Sequence, residues 1–300
     1  METTILPGRL RQFEIPGRIT FASGNGGLPK INVVTGRSTA EIYLHGAHVT
    51  GFQKNGEPPL LFMSGKSWFA PDKPIRGGVP VCFPWFGPRA GGPAHGLARI
   101  SPWEPVETIA APDGAAILRL RLPENSMAPE WPALRTEFVV TVADTLTMEL
   151  IAANESAEVV EIENCLHTYF HVGDIGRVSI SGLQGAPFDD FAAGANGARR
   201  VENDPALRIA GETNRVYPAA IGAVEIHDAQ IGRTIRVEKS GSRSTVVWNP
   251  WTTQKLPDDF DPAEYRNMVC VESGNVKRDK IRLAPGGAAA LKVVLSSRAI

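Results

Sequence analysis

INVVTGRSTAEIYLHGAHVTGFQKNGEPPLLFMS, running from Ile31 to Ser64, sets the pattern for the rest of the chain. Short alternating or β-branched runs are broken at intervals of about eight to twelve residues by Gly, Asn or Pro, which is the rhythm of successive antiparallel strands. The rhythm returns at AAILRLRLP (115–123), RTEFVVTVADTLTMELIAANES (135–156), VVEIENCLHTYFHVGDI (159–175), RVSISGL (177–183), AVEIHDA (223–229), RTIRVEKSGSRSTVVWNPW (233–251), NMVCVESG (267–274) and AALKVVLSS (289–297). Turn chemistry at Lys239–Arg243, Ala143–Thr145 and Pro285–Gly287 places neighbouring strands as hairpins. No window of helical length carries an i, i+3, i+4, i+7 stripe, so the expected fold is all-β, a large antiparallel β-sandwich. No linker or repeat divides the chain, which predicts one domain over residues 1–300, with 1–30 as an N-terminal extension or first strands. Asp189 to Asn214 is the least strand-like segment and reads as a long surface loop.

Composition narrows the function. The chain has 300 residues, 43% hydrophobic, with 31 basic and 32 acidic residues giving a net charge of -1. That balance offers no electrostatic case for nucleic acid or an anionic membrane surface. METTILPGRLRQFEIPG lacks the basic and apolar regions of a signal peptide, and no stretch reaches membrane-span length, which predicts a cytoplasmic protein. Cys82, Cys165 and Cys270 stand far apart in apolar contexts and read as buried structural thiols.

The segment from Pro74 to Trp103, PIRGGVPVCFPWFGPRAGGPAHGLARISPW, departs from the strand rhythm. It concentrates Arg76, Arg89, Arg99 and His95 among aromatic residues, with more Gly and Pro than a helix or central strand tolerates. It reads as a rigid, irregular cavity lining. His45 and His48 flank Gly46, which suggests a turn or bulge, and both read as structural; His227 receives no role. In CLHTYFHV a regular strand would put Cys165, His167, Tyr169 and His171 on one face, a titratable stripe that costs stability unless it lines a cavity. Glu272 interrupts the apolar run MVCVES; with Val269 and Val271 inward, Cys270 and Glu272 face the other way, and Glu272 is placed to be a base at a cavity mouth. No GxSxG elbow, P-loop, dinucleotide fingerprint or HExxH is present. Neither His45 with His48 nor His167 with His171 has a nearby carboxylate to complete a metal triad, so no metal is expected.

IRGGVPVCFPWFGP, PAHGLAR with ISPW, LHTYFHVGDI, STVVWNPW and MVCVESGNV occur in this order and resemble the aldose 1-epimerase superfamily, specifically its hexose-6-phosphate mutarotase branch. The resemblance runs from about Ile31 to about Val293 and implies a galactose-mutarotase-like β-supersandwich with an open cleft across one sheet. It implies His167 as general acid, Glu272 as general base and His95 as a substrate-orienting partner. It makes Arg76 and Arg99 candidates for holding the sugar and its phosphate. Related sequences often read TDRVY where this chain has Asn214, whose amide can still donate to and accept from a sugar hydroxyl. The implied reaction interconverts anomers of an aldohexose 6-phosphate by acid/base ring opening and closure, with no cofactor, a sugar phosphate as partner and the oligomeric state left open. Because acid and base exchange roles, both are expected to titrate near working pH and give a bell-shaped profile. The alternatives are a mutarotase of unphosphorylated aldoses and a non-catalytic carbohydrate-binding protein.

Overall fold

Alternation in the sequence becomes alternation in burial. Along Leu146–Asn154 every second residue, from Leu146 through Met148, Leu150 and Ala152 to Asn154, is buried and those between are half-buried. A computed structural model of the protein describes residues 8–126, 131 and 133–300. That strand belongs to a nine-stranded sheet in the order Ala206–Leu207, Val178–Ser181, Val224–Asp228, Arg233–Ser240, Ala288–Ala299, Leu146–Asn154, Leu134–Val142, Ala116–Leu122, Glu104–Ala110. An eight-stranded sheet carries Ala198–Val201, Pro187–Asp190, Thr213–Tyr217, Ser244–Asn249, Met268–Asn275, Asn164–Leu166 and Val81–Cys82, with Tyr169–His171 also paired to Met268–Asn275. Strands Ile19–Ser23, Pro29–Val34, Ser38–Tyr43 and His48–Lys54 form a separate four-stranded sheet. All of these strand pairs are antiparallel, and the helical elements among the described residues are short 3-10 turns. No helix among them is long and apolar enough to cross a membrane.

One apolar cluster joins Phe138, Met148, Leu150, Ile235 and Val293 of the larger sheet to Val247, Val269, Val271 and Leu166 of the smaller one, so the two sheets pack face to face. Met268–Asn275 is buried along its whole length. Its odd positions Val269 and Val271 enter this core, while Met268 and Cys270 pack on the other face with Phe62, Tyr169 and Phe260. The sheet therefore has an apolar inner face and an outer face that is itself covered.

Two expectations change. Asp189–Asn214 is no simple loop: Pro187–Asp190 pairs with Ala198–Val201, and the latter, exposed along its length at the sheet edge, carries no apolar alternation to read. The run from Val159 to Ile175 is broken rather than one regular strand. Asn164–Leu166 and Tyr169–His171 both pair with Met268–Asn275, but His167 and Thr168 lie in a tight turn between them, closed by Thr168 N donating to Leu166 O at 3.0 Å. Gly46 at φ +76 makes the turn its flanking histidines suggest, and His45 and His48 bond the carbonyls of Lys73 (2.7 Å) and Gly77 (2.8 Å).

A buried arginine ties the sheets together. Arg233, 4% exposed, donates to the carbonyls of Pro58 and Pro59 at 3.0 Å each and of His171 at 2.6 Å. Arg233→Met leaves these acceptors without their donors and should lower stability by about 3 kcal/mol. Urea denaturation checks this as a lower midpoint at unchanged slope.

Candidate active site

The outer face of the eight-stranded sheet holds a cavity of about 540 Å³. Its floor follows from the two-residue period of the strands: Asn214 and Val216, then Val246 and Trp248, then Glu272 point the same way from neighbouring strands. His167 joins them from the break between its two strands. The walls come from Arg76, Phe86 and His95 of the irregular segment and from Phe191, Gln254, Phe260 and Lys277.

His167 and Glu272 are in direct contact, with Nε2 3.3 Å from Oε1. The His167 ring lies on Tyr169, centroids 4.8 Å apart and planes 13° from parallel, and meets His95 edge-on at 5.6 Å. Its backbone N–H donates to Pro80 O at 3.0 Å, so the irregular segment fixes the position of His167 directly. Glu272 is 1% exposed and sits in mid-strand, at the bottom of the cavity rather than at its mouth. The Cys165 thiol donates to its second oxygen at 3.5 Å. Burial pushes the Glu272 carboxyl well above its ordinary value, with the thiol bond opposing. Burial, reinforced by the nearby Arg99 charge, lowers His167 to about 3. Both shifts favour the neutral groups, imidazole with carboxylic acid, a state that differs from imidazolium with carboxylate by the position of one proton. Burial thus pushes the two groups in opposite directions, the imidazole down and the carboxyl up. The donor atoms of His167, Cys270 and Glu272 converge within 4.8 Å, a grouping that sequence spacing could not show. The Cys270 thiol, also raised well above its usual range by burial, stays protonated.

His95 occupies a left-handed backbone position at φ +63, and Gly96 follows at φ +81. A Cβ on Gly96 would lie 2.1 Å from Phe83 O, so only glycine allows this approach. Gly87 N–H donates to His95 Nδ1 at 3.4 Å, which leaves the neutral ring's proton on Nε2. Arg76 lines the cavity, and one of its terminal nitrogens donates to both oxygens of buried Asp259 at 3.3 and 3.2 Å. Asn214 lies on the floor. Arg99 is not brought to the lining: its guanidinium is buried and donates to Ala94 O, one residue before His95. Lys277, Phe191 and Gln254 line the cavity without having been singled out in the sequence, and Trp248 had appeared only within the STVVWNPW motif. Lys277 directly follows the MVCVESGNV motif, which is the one signal that could have found it.

The outer sheet face thus carries a cavity with an imidazole and a carboxyl in contact on its floor. The aldose 1-epimerase family signature matches residues 29–296, and the chain belongs to this family; it is an isomerase that exchanges the anomers of an aldose. Its relatives are more particular. A protein from Cenchrus ciliaris, 35% identical over 90% of this chain and 86% of its own length, and one from Escherichia coli, 36% identical over 78% and 79%, are both provisionally named glucose-6-phosphate 1-epimerase. The crystal structure of YeaD from Salmonella typhimurium, provisionally described as a mutarotase, superposes with a TM-score of 0.86 at 28% identity over 96% of both chains. A galactose mutarotase-like protein from Clostridium acetobutylicum shares the fold, with a TM-score of 0.71 at 14% identity.

The Glu272 shift has a consequence for stability. Its folded-state pKa lies above the ordinary carboxyl value of 4.5, so its contribution is fully present below pH 4.5 and declines as pH rises towards the folded value. His167 acts oppositely: its contribution declines as pH falls from 6.5 towards 3. Glu272→Gln abolishes the first loss only. The melting temperature of this variant relative to wild type should therefore climb between pH 4 and pH 8, and a difference that stays constant over that range refutes the burial cost.

Proposed function

We propose that this protein interconverts the α and β anomers of a hexose 6-phosphate, glucose 6-phosphate foremost, with Glu272 as base and His167 as acid. The observation that carries the reading is the contact between these two groups on the cavity floor, beneath a space that also presents cationic side chains. A pure binding site needs hydroxyl partners and aromatic faces; it has no use for a proton held between two buried groups.

The starting state is the imidazolium–carboxylate form of the pair. Glu272 takes the proton from the anomeric hydroxyl while His167 gives its proton to the ring oxygen. The C1–O5 bond breaks and the open-chain aldehyde forms. The pair now stands as neutral imidazole and carboxylic acid, the form that burial favours, which supports the high-energy open chain. C1 turns about the C1–C2 bond. Closure on the other face runs the transfers backwards, with Glu272 as acid and His167 as base. His95, with its proton on Nε2, holds a ring hydroxyl, as does the amide of Asn214, while Arg76, already neutralised by Asp259, donates to others. Arg99 acts at one remove, by bracing the carbonyl beside His95. The buried free thiols of Cys82, Cys165 and Cys270 suit a reducing compartment, and the cytoplasm is the proposed location.

His167→Asn and Glu272→Gln should each lower kcat by about 10²- to 10⁴-fold with a smaller effect on KM. Exchange NMR between the anomers of glucose 6-phosphate measures this, and an unchanged rate in either variant refutes the assignment. The pH profile of kcat/KM should be a broad plateau, because the single-proton state spans the gap between a lowered histidine and a raised carboxyl. A narrow bell centred on neutrality would mean that the two groups do not titrate as a coupled pair.

A further inference from the structure

The cavity is lined by two cations of different character. Arg76 has its charge met by the Asp259 carboxylate at 3.2 Å, and Asp259 is 2% exposed. Lys277 lines the same cavity, and its ammonium makes no ion pair among the described residues; it lies beside Gly87, where an added Cβ would come 3.3 Å from Nζ, with the Phe191 ring centroid 5.9 Å away. Arg76 with Asp259 is a neutral unit suited to hydroxyl groups, whereas Lys277 is an uncompensated positive charge facing the same space.

The lysine is presented by a built support. It has φ +55, a left-handed conformation that non-glycine residues rarely adopt. The support is a set of carboxylates, each used on the backbone or on a neighbour and none on the ammonium. Glu163, 8% exposed, accepts from Lys277 N at 2.5 Å through one oxygen and from Phe86 N at 3.1 Å through the other. It thereby joins the lysine's turn to the irregular segment that carries His95. Arg278 is held by Asp189 at 3.0 Å, and buried Asp279 accepts from Ser244 Oγ at 2.8 Å and Ala219 N at 3.0 Å. The turn is fixed on both sides, and the Lys277 side chain is left directed at the cavity with its charge free.

From this asymmetry we infer that Lys277 is the residue that meets the phosphate of the substrate, with Glu163 as the residue that positions it. The inference rests on the hexose 6-phosphate reading above and assigns the two ends of the sugar to two cations: hydroxyls to Arg76, the phosphate dianion to Lys277. An ammonium suits this as a point charge on a mobile stem.

Selectivity is the readout, defined as kcat/KM for glucose 6-phosphate divided by kcat/KM for glucose, both from exchange NMR. Lys277→Met should lower this ratio by about 10- to 100-fold, the worth of one charge-assisted hydrogen bond, mainly through KM for the phosphorylated sugar. Lys277→Arg, which keeps the charge, should stay within about threefold of wild type. Glu163→Gln should lower the ratio by less than Lys277→Met but in the same direction. Thermal melts of each variant verify that the fold is retained. A wild-type enzyme that does not favour the phosphorylated sugar removes the substrate reading, and this inference with it. A wild-type preference that survives in Lys277→Met overturns the role of Lys277 alone, as does a Lys277→Arg ratio as low as that of Lys277→Met.

Discussion

A carboxyl group held at 1% exposure in the middle of a strand buried on both faces is the constraint around which this molecule is arranged. Glu272 would be unfavourable there alone, since an isolated buried charge is among the costliest features a fold can carry. The surroundings moderate this cost without cancelling it. Cys165 supplies a weak thiol donor and His167 a group that can take or give one proton, while among the described residues no strong fixed cation touches the carboxylate. A guanidinium at that place would hold Glu272 permanently ionised and lower its basicity. A thiol and an imidazole leave the proton free to move, which is what a reversible acid/base pair requires.

Such a pair has to be held by rigid neighbours, because a proton shared over 3.3 Å is sensitive to small displacements. The carboxylate is fixed by two flanking strands, the imidazole by its stack on Tyr169 and by the bond from its backbone to Pro80. The segment from Pro74 to Trp103 therefore does more than line a wall. Its left-handed glycines let its backbone run against the core at distances no side chain would permit, as at Gly96 against Phe83 and Gly78 against Val49. Close backbone contact transmits the stiffness of the sandwich to His95 and His167, and the irregular stretch becomes as well defined as the strands beside it.

What could be read from the sequence divides along the same physical line. The sheets were legible because burial of one face imposes a period of two, and Leu146–Asn154 displays it directly. Glu272 was legible for the same reason, as a polar residue out of phase with Val269 and Val271. His167 was found through its motif and its polar stripe, but the break that aims it was not, since nothing in CLHTYFHV marks a turn. Ala198–Val201 was missed because an exposed edge strand has no buried face to pattern. Arg99 shows another limit: an arginine beside a candidate histidine reads as a ligand for substrate, and the sequence does not reveal that in the fold one of its terminal nitrogens donates to Ala94 O beside His95. Lys277 had only its place after the MVCVESGNV motif to mark it, because its position depends on Glu163, 114 residues away in sequence.

The charge arrangement also explains how a cavity with basic residues can leave the Glu272 carboxyl without a fixed cation. Arg76 is committed to Asp259 and Arg99 to a backbone carbonyl, and Lys277 makes no ion pair among the described residues. Arg99 and Arg76 still act at a distance, and their field is among the causes that hold His167 and His95 neutral. A phosphate dianion bound in the cavity would oppose that field and raise the proton affinity of both imidazoles. On the proposed reading, substrate would then shift the proton towards His167, the form from which the proposed ring opening begins, whereas an uncharged sugar would leave the resting distribution as it is. Recognition of the phosphate and activation of His167 as an acid would then be one electrostatic event.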